Sequence, residues 1–116
     1  MTQKSERTWK HHAQHIVTSI DKIKRYQALY TVSDPEMYED ALYRNLHTIS
    51  ESADELPYLI KDKYRNINWR KIKDFRNYMV HAYLGNEIDS NIVNDVVENK
   101  LPELREAAID MLTNIF

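Results

Sequence analysis

The stretch Trp69-Arg70-Lys71-Ile72-Lys73-Asp74-Phe75-Arg76-Asn77-Tyr78-Met79-Val80-His81-Ala82-Tyr83-Leu84-Gly85 sets the architecture of this chain. At about 100° per residue, Trp69, Ile72, Phe75, Met79, Val80, Ala82 and Tyr83 gather into one apolar helical face. Asn68 is placed to cap the start of this helix, and Gly85, the one glycine of the chain, to end it in a left-handed conformation. Arg76 falls inside the apolar face. A permanent charge belongs there only if it has a partner or a chemical task.

Working outward, the same periodicity recurs on both sides. Trp9, Ala13, Ile16, Ile20, Ile23 and Tyr30 predict a first helix from about Ser5 to Tyr30. Val32-Ser33-Asp34-Pro35 closes it, with Asp34 as N-cap and Pro35 at the first position of the next helix. Tyr38, Ala41, Leu42, Leu46, Ile49, Ala53 and Leu56 carry that second helix to a stop near Pro57, and a short helix is expected over Tyr58 to Tyr64. Asp89 or Ser90 caps a last helical region running to about Ile115, which Pro102 should kink or restart. These stripes predict an all-α protein: an antiparallel four-helix bundle with an additional short helix, forming one domain over residues 1–116.

Composition agrees. Hydrophobic residues make up 42% and charged residues 29%, a globular balance, while one Gly and three Pro leave too few turn signals for an all-β fold. The absence of cysteine excludes disulfides and thiolate metal sites and fits a reducing cytoplasm. No apolar run approaches the length of a signal peptide core or a membrane span, so no membrane role is expected. The net charge of −2 argues against a generic polyanion coat, but the charges are segregated. Between Lys61 and Arg76 seven basic residues face two acids, and between Glu87 and Asp110 seven acids face two basic residues. The basic segment leads into the Arg76–Tyr83 stretch, where its field would draw a polyanion.

Three reactive side chains sit close together there: Arg76, His81 and Tyr83. Arg76 and Tyr83 lie about 20° apart on the wheel, whereas His81 lies about 140° from Arg76. One regular helix cannot aim the guanidinium and the imidazole at one atom. Convergence requires either a loosened helix before His81 or a second copy of the chain across a symmetric interface. The competing reading is a structural arginine satisfied by a carboxylate of a neighbouring helix. The Arg-x4-His spacing alone says little, since Arg7 and His12 repeat it, but Gln14 stands there where Tyr83 stands here. Chance supplies the full Arg-x4-His-x-Tyr pattern roughly 0.02 times in a chain of this composition. His11 and His15 form an i, i+4 pair without a third ligand nearby, too little for a zinc site.

Arg76-x4-His81-x-Tyr83, with Asn77 after the arginine, resembles the catalytic signature of HEPN ribonucleases and is most similar to their HepT-like toxin branch. Ala41-Leu42-Tyr43-Arg44-Asn45-Leu46 and Ile49-Ser50-Glu51-Ser52-Ala53 resemble that family's second helix. Ile67-Asn68-Trp69 resembles its entry to the motif helix, and Leu101-Pro102-Glu103-Leu104 its terminal segment. Two features depart: Ser50-Glu51-Ser52 replaces the usual Gly-Glu-Ala, and the proline common before the Trp segment is missing.

The resemblance implies a HEPN-like bundle that homodimerises, with a larger heteromeric complex left open, and cuts RNA without a metal or other cofactor. It implies a type VII toxin–antitoxin pairing of the HepT/MntA kind, in which a nucleotidyltransferase antitoxin transfers AMP to Tyr83 and silences the nuclease. Arg76 and His81 would be catalytic, with Asn77 and Glu51 in support. An imidazole titrates near pH ~6.5, so His81 suits the exchange of a proton with a ribose 2′-hydroxyl or a leaving 5′-oxygen. The planar fork of Arg76 suits a phosphate. A phosphate added at Tyr83 would compete for that fork and repel RNA. The alternative is a non-catalytic HEPN binding module that partners a nucleotidyltransferase.

Overall fold

Asp34 decides where the first long helix gives way to the second. In the computed structural model, which describes residues 2–85 and 87–115, α1 spans Thr2–Tyr30 and α2 spans Pro35–Asp54. Ser33 returns its hydroxyl to the Leu29 carbonyl at 3.0 Å, and the Asp34 carboxylate accepts the Met37 N–H at 3.1 Å. Pro35 then sits in the first turn of α2, where its missing N–H removes no helical bond.

The two helices run antiparallel. α1 buries Trp9, Ala13, Ile16, Ile20 and Ile23 of the stripe expected of it against Leu42, Leu46, Ile49 and Ala53 of α2, whereas Tyr30, the last member of that stripe, is exposed. On its other side α1 meets α6 (Leu101–Asn114), whose Leu104, Ala108 and Met111 complete the core. Arg105 of α6 grips Asp21 of α1 through two contacts, at 2.8 and 3.2 Å, and holds that carboxyl below its ordinary range. α2 in turn carries α4 (Trp69–Gly85). The fold is the expected all-α bundle, with α3 (Tyr58–Lys61) as the short extra helix and α5 (Ser90–Asp95) leading through a wider turn into α6.

That wider turn answers Pro102. Over Val96–Lys100 the helix opens to π geometry, and the Leu101 N–H bonds the Val96 carbonyl instead of the i−4 partner. The slack lets a proline ring enter the following turn without meeting a carbonyl one turn back. The helix restarts rather than breaks.

Four further expectations are corrected. α2 ends at Asp54, before Pro57, and α3 ends at Lys61 rather than Tyr64, because the chain must turn to bring Trp69 under α3. The indole Nε1 of Trp69 donates to the carbonyls of Lys61 at 3.1 Å and Tyr64 at 3.2 Å, which fixes the start of α4. Gly85 is the last residue of α4 and has no left-handed φ; the helix closes instead through the Glu87 N–H on the Ala82 carbonyl at 2.7 Å. Val80, assigned to the buried face, is 40% exposed. It lies about 100° round the wheel from Met79, beyond the arc that α2 covers.

Candidate functional site on the α2–α4 face

The Asn68 side chain accepts the Lys71 N–H at 3.1 Å, the N-cap expected of it, and α4 then runs unbroken for 17 residues. The helix therefore does not loosen before His81. Met79 and Ala82 are buried, and Ile72 and Phe75 pack partly against the core. Relative to Ile72, Arg76 stands about 40° round the helix and His81 about 180°. The arginine is at the rim of the buried arc and the histidine is opposite it, exposed. Asn77 is exposed as well. The side chain of Tyr83 lies outside the described residues; its backbone is part of α4.

Arg76 has a partner. Its Nη1 lies 3.2 Å from Oδ2 of Asp54, at the C-terminal end of α2, and both side chains are about one-quarter exposed, at 26% and 25%. The ion pair joins two helices, and Lys61 braces the same end of α2 by donating to the Asp54 carbonyl at 2.9 Å. Sequence reasoning did not single out Asp54. The signal was present, since His47, Glu51 and Asp54 recur at i, i+4 and i+7, the spacing that marks one helical stripe.

Glu51 is exposed and pairs along α2 with His47, Nε2 to Oε1 at 2.7 Å. The structure thus unites Arg76 with Asp54 and Glu51 with His47, and leaves His81 apart from both pairs. Between the helices runs a groove of about 340 Å³, lined by Asp40, Tyr43, Arg44 and His47 of α2 and Met79, Val80 and Leu84 of α4. On the wheel Val80 and Leu84 occupy the sector between Arg76 and His81. Burial, then the nearby Glu39 carboxylate, pushes the Tyr43 phenol up to about 12, so it stays neutral in the groove wall. A second groove of about 270 Å³ lies on the opposite flank of α4, between Ile72, Phe75 and the π turn, and holds none of the predicted site residues.

The outer face of α4 carries Arg70, Lys73, Asp74, Asn77 and His81 within an arc of about 100°, all exposed. Lys63 and Lys71 are exposed as well. Among the described residues no three His, Asp or Glu side chains converge as a metal ion would require. No helix of the described residues is long and apolar enough to cross a membrane.

A family model described as "Ribonuclease HepT-like" matches residues 16–111, which include α2, α4 and nearly all of α6. Among curated proteins, "Gamma-glutamylcyclotransferase and putative RNase MJ0434" of Methanocaldococcus jannaschii is 27% identical over 104 residues, 87% of this chain and 46% of its own length. "Putative RNase TTE0752" of Caldanaerobacter subterraneus is 26% identical over 93 residues, 80% of each chain. "Putative RNase MJ0127" of Methanocaldococcus jannaschii is 33% identical over 64 residues, 55% of this chain and 51% of its own. The alignments thus span about half the length of two of these relatives and four-fifths of the third. No solved structure matches.

Proposed function

Because this chain belongs to the HepT-like ribonuclease family, we propose that it is a metal-independent endoribonuclease toxin working as a homodimer in the cytoplasm. Its partner is a nucleotidyltransferase antitoxin of a type VII pair, which silences it by transferring AMP to Tyr83. The observation that carries the composite site is the regular course of α4 between Arg76 and His81. One protomer presents the guanidinium and the imidazole on different sides of a helix, so a second copy must supply whichever group the first turns away.

In this reading Arg76 binds the scissile phosphate. Asp54 engages one nitrogen of the guanidinium, which leaves the rest of the fork to grip phosphoryl oxygens and the charge that grows on them. His81 of the second copy takes the proton from the ribose 2′-hydroxyl, the 2′-oxygen attacks phosphorus, and the 5′-oxygen leaves with a proton. Asn77, on the exposed side of α4 with His81, orients the ribose by hydrogen bonds, and Glu51 supports the site from α2. The basic track along α4 guides the strand.

The Arg76–Asp54 pair favours one competing reading, that of a binding module in which the arginine is structural. Purified protein distinguishes them. It is expected to degrade RNA in EDTA, and Arg76→Ala or His81→Ala to lower the rate on the order of 10²–10⁴-fold with helicity intact. Cutting that requires a divalent metal, or that survives both substitutions, overturns the proposal.

A further inference from the structure

The stripe of α2 that holds Arg76 carries a second imidazole. His47 lines the α2–α4 groove, and Glu51 occupies its Nε2, so Nδ1 is the nitrogen left for a ligand. At 1.5 Å per residue, Glu51 stands about 4.5 Å and His47 about 10 Å along α2 from the Asp54 that grips Arg76. On α4, Val80 is the residue one turn beyond Arg76, and it shares the groove with His47. Within one protomer, the imidazole that borders the arginine's side of α4 is His47. His81 is on the far side.

We infer that His47 is a further catalytic residue of this site: the general acid that protonates the leaving 5′-oxygen, with its imidazolium steadied by the Glu51 carboxylate. The inference rests on the ribonuclease reading above and completes it. His81 of the second copy removes the 2′-hydroxyl proton, the O2′–P bond forms and the P–O5′ bond breaks. His47 passes its own proton to O5′, so one imidazole gains the proton that the other loses. The products are a 2′,3′-cyclic phosphate and a 5′-hydroxyl. Two separate imidazoles let acid and base act in one step, and the carboxylate on Nε2 fixes the ring so that Nδ1 is the nitrogen presented. The charged and titratable groups around His47 are Asp40, Tyr43, Arg44 and Glu51 from α2, with Arg76 one turn before Val80 on α4.

The test uses a fluorogenic RNA oligonucleotide and mixed dimers made by co-expressing two differently tagged chains. His47→Gln places a good helix former at a position 35% exposed, so helicity is retained. It is expected to lower the rate on the order of 10²–10⁴-fold. Glu51→Gln, which keeps His47, is expected to lower kcat by less than His47→Gln does and to leave KM unchanged, because the imidazole loses the carboxylate that orients it. The mixtures are decisive. If Arg76 and His47 serve one site from the same protomer and His81 comes from the other, His47→Gln mixed with His81→Ala regains activity, whereas His47→Gln mixed with Arg76→Ala stays inactive. Recovery in both mixtures or in neither overturns the inference, as does a His47→Gln rate within tenfold of the parent. Failure of Arg76→Ala and His81→Ala to lower the parent rate instead overturns the ribonuclease reading, and His47's role with it.

Discussion

The composite site predicts a specific recovery when two inactive variants are combined. Arg76→Ala and His81→Ala each remove one half of every site, so either homodimer is dead. On a regular helix the two side chains diverge by about 140°, and in the proposed dimer each site takes its arginine from one protomer and its histidine from the other. A dimer of one Arg76→Ala chain and one His81→Ala chain then holds one site lacking both groups and one site lacking neither. Random pairing at equal amounts gives about half mixed dimers, each with one of two sites intact, so about a quarter of the parental specific activity should return. Dimers carrying both tags, isolated by tandem affinity purification, should reach about half. The assay is cleavage of an RNA oligonucleotide in EDTA, normalised to folded dimer. Mixed dimers that are well formed and remain as inactive as their parents would refute the two-chain site.

Three further outcomes follow from particular contacts. Asp54→Asn removes the carboxylate that holds Arg76, and because the pair is about one-quarter exposed it is expected to lower unfolding free energy by only about 1 kcal/mol. Its larger effect should be on kcat, roughly tenfold or more through a misplaced guanidinium, and unchanged kcat would remove Asp54 from the site. Burial, then the charges of His11, Lys22 and His12, holds the His15 imidazole below its ordinary value, so the folded chain resists its protonation. The stability from neutral His15 is fully present above pH ~6.5 and is lost as pH falls through the lower folded value; urea midpoints taken from pH 8 down to 5 should decline, and His15→Gln should flatten that slope. Gly85→Ala should raise unfolding free energy by about 0.5 kcal/mol, since the position is helical and an added Cβ would meet only the Glu87 side chain at 3.7 Å. A destabilised alanine variant in thermal melts would mean that the end of α4 requires glycine after all.

Much of the molecule was legible because its signals are local. The Asp34-Pro35 boundary, the Asn68 and Asp89 caps and the apolar stripes of α1 and α2 depend on residues within a few positions of one another. The failures mark where a second element intervened. Gly85 has the composition of a left-handed cap, yet the chain closes α4 through Glu87 on Ala82 without one. Val80 has the chemistry of a core residue, yet α2 covers an arc that stops short of it. The Arg76 anomaly was visible in the wheel, but its partner was not, because Asp54 lies 22 residues away and reaches it only when α2 and α4 pack.

The sequence by itself determined where the long helices lie, most of the residues on their apolar faces, and that an arginine and a histidine at this spacing turn to different sides of any straight helix. Periodicity and capping are short-range, and they carry that much. Only the tertiary structure decided that Arg76 is held by Asp54 and that a groove opens beside that pair between α2 and α4. Both depend on how two helices are set against each other, which is fixed by the packing of the whole core rather than by any segment of it.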